Sequence, residues 1–275
     1  MAQVHHFAYG WINPVLGFVL AFLGSLLSLV LAGRARGAVG WSRGRWLIMS
    51  AIALGGTGIW LMHFMAILGF DVPDTLVRYD PGITVASFGL SVVMVAAGLF
   101  LAVFAMRPSA VRIVAGGIVT GIGVAAMHYS GMSALKFSGT LTYDPALVGA
   151  SFAIAIVAST VALWFAAVIK GASATVAGAV LMAVAVCSMH YTGMAAVRID
   201  LAGDIPPVSG GMSAFELLAP IAVLACVMIS SLAYATVGFT VRRENDQEEL
   251  MLARARELYE AAALVPADGA GGRHK

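Results

Sequence analysis

Charged side chains are scarce in this sequence. Only 11% of its 275 residues are Asp, Glu, Lys or Arg, and 60% are hydrophobic, whereas a soluble domain carries about 25% charged residues. The shortage falls in blocks without any charge, each as long as the roughly 20 apolar residues that a helix needs to cross a bilayer. This pattern excludes a soluble globular protein. It predicts an all-α integral membrane protein with seven spans, at about residues 12–32, 46–70, 82–106, 113–135, 146–169, 173–197 and 217–241.

Cysteine and lysine are also scarce. The two cysteines, Cys187 and Cys226, fall inside predicted spans and form neither a CxxC motif nor a disulfide framework. The lysines are Lys136, Lys170 and Lys275, and none of them lies in the seventh predicted span. Retinal bound to that span as a Schiff base, which requires a buried lysine, is therefore excluded.

Basic residues are distributed unevenly between the two sets of loops. One set carries most of them, whereas the other has only Arg78, Lys136 and Arg198. By the positive-inside rule the richer side is cytoplasmic. The N-terminus is then outside and the C-terminus is cytoplasmic, and no cleaved signal peptide is expected. The residues on the richer side are Arg34, Arg36, Arg43, Arg45, Arg107, Arg112, Lys170, Arg242 and Arg243.

A pair of helices is repeated along the chain. The segments "YDPGITVASFGLS" and "YDPALVGASFAIA" open the third and fifth spans with Asp-Pro, and "WINPVLGF" opens the first in a related way. Proline suits the first turn of a helix, where no N–H is needed. A histidine follows each proline at a similar interval. We therefore predict three helical hairpins followed by a seventh helix, with proline–histidine pairs Pro14–His63, Pro81–His128 and Pro145–His190.

The sequence changes character after Val241. We predict that residues 1–241 form the membrane domain and that residues 242–275 form a charged cytoplasmic helix followed by a disordered tail. The helix over residues 242–262 is either solvated or a contact for an unknown cytoplasmic output partner. A catalytic output domain does not fit in this length, so we expect no enzyme activity. The small net positive charge of +2 suits membrane topology and does not indicate nucleic-acid binding.

Three histidines lie at one depth in the even-numbered spans. His63, His128 and His190 each precede the next charged residue by eight positions, which is about 12 Å of helix. Ionisable side chains are costly in lipid and normally face the interior of a helix bundle. The alternative for each ring alone is a neutral core residue that hydrogen-bonds to a neighbouring helix. Three copies at a shared depth favour a common polar or metal site.

Thioethers accompany the histidines. Met132 and Met194 lie four residues after a histidine and share its helix face. Imidazole with thioether suits copper, above all Cu(I), because soft sulfur selects a soft metal. Methionines at helical spacing also fill gaps in a core, so packing remains the alternative. The predicted metal site consists of His63, His128, His190, Met62, Met127, Met189, Met132 and Met194.

Other residues are weaker candidates for the same site. Hydroxyl groups next to the histidines are expected to orient the rings through hydrogen bonds. Cys187, Met65 and His6 are possible additional ligands, although His6 sits at a chain end outside the first span. The hydroxyl-bearing residues are Tyr129, Ser130, Tyr191 and Thr192.

The motif text resembles a known family. "MHYT" at Met189–Thr192, "MHYS" at Met127–Ser130 and "MHF" at Met62–Phe64 are similar to the motifs of the MHYT-domain family of bacterial integral-membrane sensor proteins. The resemblance covers about residues 6–240. It implies a seven-helix domain in the cytoplasmic (inner) membrane with its motifs near the outer face. It also implies copper bound by the Met and His residues, and detection of oxygen, carbon monoxide or nitric oxide. The first motif continues as "MHFMAI" and lacks the later methionine.

Three functions follow as hypotheses. The first is a membrane sensor that holds copper through the Met/His motifs, binds a small diatomic ligand and signals to the cytoplasm. The second is a copper-handling or transport protein, which needs polar groups at further depths of the bilayer. The third is a membrane protein that ligates haem through two of the histidines.

Overall fold

A computed structural model describes residues 10–72, 75–104, 109–201, 208 and 210–263. Helices account for most of these residues, as predicted, but five short strands were not predicted. The helices are α1 (Ile12–Gly37), α2 (Gly40–Ala51), a π-helical segment (Ile52–Leu61), α3 (Met62–Ile67), α4 (Pro81–Val103), α5 (Ala110–Ser133), α6 (Pro145–Val168), α7 (Ala172–Ala195) and α8 (Ala214–Ala263). The strands are β1 (Arg78–Tyr79), β2 (Leu135–Lys136), β3 (Gly139–Tyr143), β4 (Val197–Leu201) and β5 (Met212–Ser213).

Six helices in the described part of the chain are long and apolar enough to cross a bilayer. They are α1, the continuous span Gly40–Ile67, α4, α5, α6 and α7. A multi-pass membrane protein is therefore the correct class. Overlapping the first part of the seventh predicted span, the structure describes a shorter apolar stretch, Ala214–Ser230, at the start of α8. The count of seven spans and their orientation remain predictions.

The chain divides into two compact units, Met1–Leu232 and Ala233–Lys275. The first unit contains the six spans. In the second unit the described side chains of Tyr234, Glu248, Glu249 and residues 251–256 are exposed, and Ala233 is half-buried. The predicted division at residue 241 and the role of residues 242–262 remain predictions, and the predicted disordered tail from residue 264 lies outside the described residues.

Each histidine-bearing helix of the first unit lies between two of the proline-led helices. The π-helical segment packs against α1 and α4, α5 packs against α4 and α6, and α7 packs against α6 and α1. Small residues allow some of these approaches. A Cβ on Gly117 or Gly121 of α5 would collide with Thr160 or Ile156 of α6, as the GxxxG spacing leads one to expect.

Aspartates cap two of the proline-led helices. The Asp80 carboxylate accepts a hydrogen bond from the N–H of Ile83 at 3.1 Å, which caps the first turn of α4. It also pairs with Lys136 at 2.8 Å, just beyond the end of α5. In the next hairpin, Asp144 caps α6 and pairs with Arg198 at 2.6 Å. These contacts tie the two ends of each hairpin together.

The strands connect the ends of the hairpins on the histidine side. β1 pairs with β2 within the second hairpin, and β3 pairs with β4 within the third. β5 pairs with the other edge of β1 and directly precedes α8. The start of α8 is closed by a capping box, in which the N–H of Ser213 donates to Glu216 and the N–H of Glu216 donates to the Ser213 hydroxyl.

The first hairpin departs from helical regularity. Residues Ile52–Leu61 adopt a π-helix, an arrangement that is rare beyond a single turn and frequent near functional sites. Close approaches of two neighbouring helices accompany it. A Cβ on Gly24 of α1 would lie 2.3 Å from the Gly58 nitrogen, and the Ser91 hydroxyl of α4 donates to the Gly55 carbonyl at 2.7 Å.

Arginines close helix C-termini at the end of the bundle away from the histidines. Arg43 is buried and donates to the Val103 carbonyl at the end of α4, at 2.7 Å. Arg36 donates to the carbonyls of Ala166 and Ile169 at the end of α6. Cations at helix C-termini are favourable because the unpaired carbonyls carry partial negative charge.

The Asp144 cap predicts a pH dependence of stability. Hydrogen bonds from the N–H groups of Ala146 and Leu147, together with the Arg198 charge, lower the pKa of the Asp144 carboxyl. A lowered folded pKa contributes stability above the ordinary value of about 3.9, and this contribution is lost as the pH falls through the folded pKa. We expect the thermal midpoint in detergent to drop as the pH falls from about 5 to about 3. Asp144→Asn should make that drop shallower.

The matched control is Asp200→Asn, the same chemical change at an exposed position on β4. It should leave the wild-type slope unchanged. Asp80→Asn combined with Asp144→Asn should flatten the profile further, because Asp80 occupies the equivalent cap. If the thermal midpoint fell with pH equally steeply in wild type and in the double variant, the two aspartate caps would not be the origin of the pH dependence.

Candidate metal centre

The three predicted histidines meet in the interior of the first unit. His63 follows the π-helical segment on α3, and His128 and His190 lie near the ends of α5 and α7. The Nδ1 atom of His63 is 3.1 Å from Nδ1 of His190 and 3.2 Å from Nδ1 of His128. All three rings are at most 1% exposed. The shared depth read from the sequence is therefore also a shared location.

The rings are arranged edge to face around this point. Their centroids are 4.9 to 5.1 Å apart, and their planes are close to perpendicular. The ligand atoms of the three rings all lie within 4.8 Å of one another. This is the one group of three or more His, Cys, Asp or Glu residues with metal-site geometry among the residues that the structure describes.

Glycines three residues after two of the histidines hold the rings in place. A Cβ on Gly131 would lie 2.4 Å from Nε2 of His63, and a Cβ on Gly193 would lie 2.3 Å from Nε2 of His128. The rings of His63 and His128 thus pack their Nε2 edges against the backbone of the next hairpin and direct their Nδ1 atoms inwards. In the first hairpin Ala66 occupies the corresponding position. The sequence interpretation missed this role, although the glycine precedes methionine in both "YSGM" and "YTGM".

The donor set fits a metal ion. Imidazole binds metals through either ring nitrogen in its neutral form. Bonds of about 2.0–2.1 Å would hold three nitrogens roughly 3.3–3.6 Å apart. The Nδ1 separations of 3.1 and 3.2 Å are only a few tenths of an ångström shorter. A slight outward shift of the rings would therefore accommodate an ion.

The same distances also suit hydrogen bonds between imidazoles, in which one Nδ1 donates and another accepts. His63 Nδ1 faces both partners, and a single nitrogen can donate to only one of them. The Nε2 atoms of His63 and His128 are buried without a hydrogen-bond partner among the described residues. Hydrogen bonding between the rings thus provides partners for only some of the ring nitrogens.

All five predicted methionines are buried, and each lies within four residues of one of the histidines in the sequence. Met62 packs with Ala21, Ala66 and Ala183, and its side chain touches the position of Gly17 on α1. The other four belong to the main hydrophobic core. These are Met127, Met132, Met189 and Met194. Their role as thioether ligands remains a prediction.

The hydroxyl groups predicted to orient the rings are bonded elsewhere in three cases. Ser130 donates to the Met127 carbonyl at 3.0 Å, and Thr192 donates to the Ser188 carbonyl at 2.7 Å. The Tyr129 hydroxyl lies 2.7 Å from the Ser151 hydroxyl of α6. The rings of Tyr129 and Tyr191 stack edge-on against the histidine that precedes each of them, with centroids 4.9 Å apart.

The additional candidates lie apart from the cluster or outside the described residues. Cys187 is half-buried at the margin of the Met62 cluster. Met65 packs at the edge of the main core, and its carbonyl accepts a hydrogen bond from the Asn13 amide at 3.0 Å. His6 falls in residues 1–9, which the structure does not describe.

The ring–glycine contact predicts a specific loss of stability. We expect Gly131→Ala to lower the free energy of unfolding by about 1–3 kcal/mol, because the added Cβ overpacks against an enclosed ring. Gly149→Ala on α6, where nothing lies within 4 Å of the new Cβ, should instead raise it by about 0.5–1 kcal/mol, the ordinary gain of alanine over glycine in a helix. Chemical denaturation in detergent measures both.

A double-mutant cycle isolates the contact. In a His63→Ala background the ring is gone, so Gly131→Ala should cost less than about 1 kcal/mol. A cost that is the same in both backgrounds would show that Gly131 does not act through His63.

Three stretches of the chain match a known family of sequences. The sequence profile described as "Bacterial signalling protein N terminal repeat" (MHYT) matches residues 56–116, 121–179 and 184–253. Each matched repeat begins a few residues before a histidine motif. The first two continue through the next proline-led helix, α4 or α6, and the third continues into α8. The family's unit is therefore displaced by one helix from the hairpin read from the sequence. No solved structure matches the chain.

Several curated bacterial proteins are similar to the chain. "Bifunctional diguanylate cyclase/cyclic di-GMP phosphodiesterase MucR" of Pseudomonas aeruginosa is 37% identical over 93% of this chain and 38% of its own length. An "Uncharacterized signaling protein" of Caulobacter vibrioides is 30% identical over 87% of this chain and 28% of its own length. "Cyclic di-GMP phosphodiesterase NbdA" of Pseudomonas aeruginosa is 33% identical over 70% of this chain and 25% of its own length. The chain spans about a quarter to two-fifths of these relatives, and the three matched repeats establish that it belongs to the MHYT family of bacterial signalling proteins.

Proposed function

We propose that this chain is a membrane sensor module that holds a copper ion on His63, His128 and His190, binds a diatomic gas there and signals to the cytoplasm. The observation that carries the proposal is the convergence of three buried Nδ1 atoms at 3.1 and 3.2 Å. In this proposal the module binds the gas and transmits a signal, and it has no catalytic activity. Oxygen, carbon monoxide and nitric oxide are the candidate gases.

The ligand chemistry supports copper. Three imidazoles without a carboxylate suit copper, zinc, iron or nickel, whereas magnesium and calcium prefer oxygen ligands. Thioethers nearby shift the preference towards Cu(I), and five buried methionines flank the three histidines in sequence. When bound, copper would supply an open coordination position for a diatomic molecule. The chain's own residues hold the three rings, exclude water and transmit any displacement.

Relatives support a role in signalling. Two are named for enzymes of cyclic di-GMP turnover, and this chain is similar to about 38% and 25% of their lengths. We propose that the shared region supplies the sensory part of such proteins. For this chain the output passes to an unknown cytoplasmic partner, and residues 242–262 of α8 are the proposed contact.

The orientation is part of the proposal. The basic end of the bundle, with Arg34, Arg36, Arg43 and Arg45, faces the cytoplasm by the positive-inside rule. The histidine end and its strands then face outwards. The chain resides in the bacterial cytoplasmic (inner) membrane, with the lipid bilayer as its surroundings.

A chain of contacts links the cluster to α8. Four residues after His63, the Ile67 carbonyl accepts a hydrogen bond from the Tyr79 hydroxyl at 2.9 Å. Tyr79 belongs to β1, which pairs with β5, and β5 ends directly at the start of α8. A shift of the His63 ring therefore has a short connected path to the helix that leads to the proposed output.

The two alternatives receive less support. A haem needs a broad planar slot between its axial ligands, whereas the described rings are in mutual contact with centroids 4.9 to 5.1 Å apart. Metal transport needs polar groups along the rest of the bundle. Below the histidines the described side chains around the central cavity are apolar apart from Thr120 and Ser159.

Copper content tests the proposal. Protein purified in detergent and reconstituted with Cu(I) should bind about one equivalent, and His63→Gln, His128→Gln or His190→Gln should each weaken binding by at least about tenfold. Mass spectrometry gives the metal content, and X-ray absorption separates nitrogen from sulfur ligands. If a thioether takes part, Met194→Leu should also weaken binding. Met182→Leu, the same change three turns away on α7, is its control.

Three results would contradict the copper proposal. One is the absence of copper after reconstitution of a folded wild-type protein. Another is an equal copper content in wild type and in all three histidine variants. The third is a Soret absorption band, which would assign the histidines to haem. Carbon monoxide bound to the Cu(I) form, detected by its infrared stretching band, would support the gas-binding part.

A further inference from the structure

The histidine cluster is closed on the side of the strands. The rings are at most 1% exposed, and a subset of the residues that follow them towards the helix ends is buried as well. Met132, Ala134, Met194 and Ala196 are each at most 4% exposed. The paired strands then join the hairpin ends. A ligand arriving from water at this end would have to part well-packed side chains.

A cavity lies on the opposite side of the cluster. Its lining includes Ile59, Val124 and Val186, which precede His63, His128 and His190 by four residues each and so lie one helical turn deeper. The cavity continues past Thr120 and Met182, a further turn into the bundle. Its volume is about 30 Å³. The cavity thus lies about one helical turn beneath the three rings, which are not themselves part of its lining.

The lining selects the class of molecule that fits. Hydrocarbon and thioether groups dominate it, and Thr120 and Ser159 contribute its hydroxyls. A buried water needs two to four polar partners, and the two hydroxyls, of which the Thr120 Oγ1 has no hydrogen-bond partner among the described residues, meet only that minimum. The rest of the lining is aliphatic or thioether, the kind of surface that stays dry and takes up xenon or benzene. With a volume of about 30 Å³, the space is too small for a lipid chain. It suits a small, uncharged, apolar molecule such as a diatomic gas.

The lining residues of the cavity that are only partly buried lie on α6 and α7 and indicate an opening between these two helices. Ala158 on α6 and Ala185 on α7 line it and are themselves half-buried. The outer faces of these helices expose large apolar residues, among them Val157, Leu181 and Val184. Such faces are suited to lipid. The opening therefore leads to the hydrocarbon core of the bilayer.

From these features we infer that the diatomic ligand enters from the membrane interior. It passes between Ala158 and Ala185, occupies the cavity and reaches the histidine layer from below. This inference rests on the proposed function for the identity of the ligand. The cavity itself depends only on the packing of the first unit, so it can be tested on protein without metal.

The first test uses xenon, a probe for dry cavities. Metal-free protein in detergent is titrated with xenon and followed by 129Xe NMR. Wild type should show a saturable site, and Ala185→Leu, which fills the cavity, should abolish it. Ala153→Leu, the same change at an exposed position of α6 that does not line the cavity, should retain it. Absence of a site in wild type, or its persistence in Ala185→Leu, would overturn the inference.

The second test measures the route. In Cu(I)-loaded protein in lipid nanodiscs, Ala158→Leu and Ala185→Leu should slow carbon monoxide association by about tenfold or more. Dissociation should slow in parallel, because an obstructed passage hinders both directions, so affinity changes little. Ala153→Leu should leave both rates unchanged. Wild-type rates in the two cavity variants would show that the gas takes another path.

The two proposals fail in different ways. Xenon binding without copper binding would refute the metal sensor and leave the cavity standing. Copper and carbon monoxide binding without a xenon site, and with unaltered rates in the leucine variants, would refute the membrane route and leave the sensor standing.

Discussion

Burial of three imidazoles in the interior of a membrane domain is the constraint on which the rest of the structure depends. A polar ring without partners is expensive in an apolar medium, and lipid offers none. The three rings become each other's partners through Nδ1 atoms 3.1 and 3.2 Å apart. Rings of three separate hairpins can meet so closely only if their helices converge. Gly131 and Gly193 permit this because they leave the space that the rings occupy.

The first hairpin solves the same problem differently from the other two. Its histidine follows ten residues of π-helix, and Ala66 stands where the others have glycine. A π-helix changes the angular position of every later side chain on the helix. The Ser91 hydroxyl and the close approach of Gly24 hold this segment against α4 and α1. Each of the three hairpins therefore places a histidine at the centre, but the first does so after a π-helical segment and the other two within regular α-helices.

Much of this arrangement follows from local features of the sequence. Charge-free blocks locate six of the helices, and Asp-Pro pairs locate the starts of α4 and α6, because a cap and a proline act within one turn. The shared depth of the three histidines follows from counting along each helix. The π-helix, the strands and the role of Gly131 could not be predicted, since each depends on contacts between residues far apart in sequence. The metal, the gas and the orientation in the bilayer stay predictions for a different reason, because they concern partners outside the chain.

The way each ring rests on the following hairpin has a consequence for biogenesis. The His63 ring packs against Gly131 of α5, and the His128 ring packs against Gly193 of α7. The second and third hairpins therefore each complete the packing around the histidine of the preceding hairpin. His190, which closes the cluster, enters the membrane last of the three. A nascent chain that has inserted one or two hairpins has only part of the cluster. A ligand that requires all three rings could therefore bind only after α7 has been inserted.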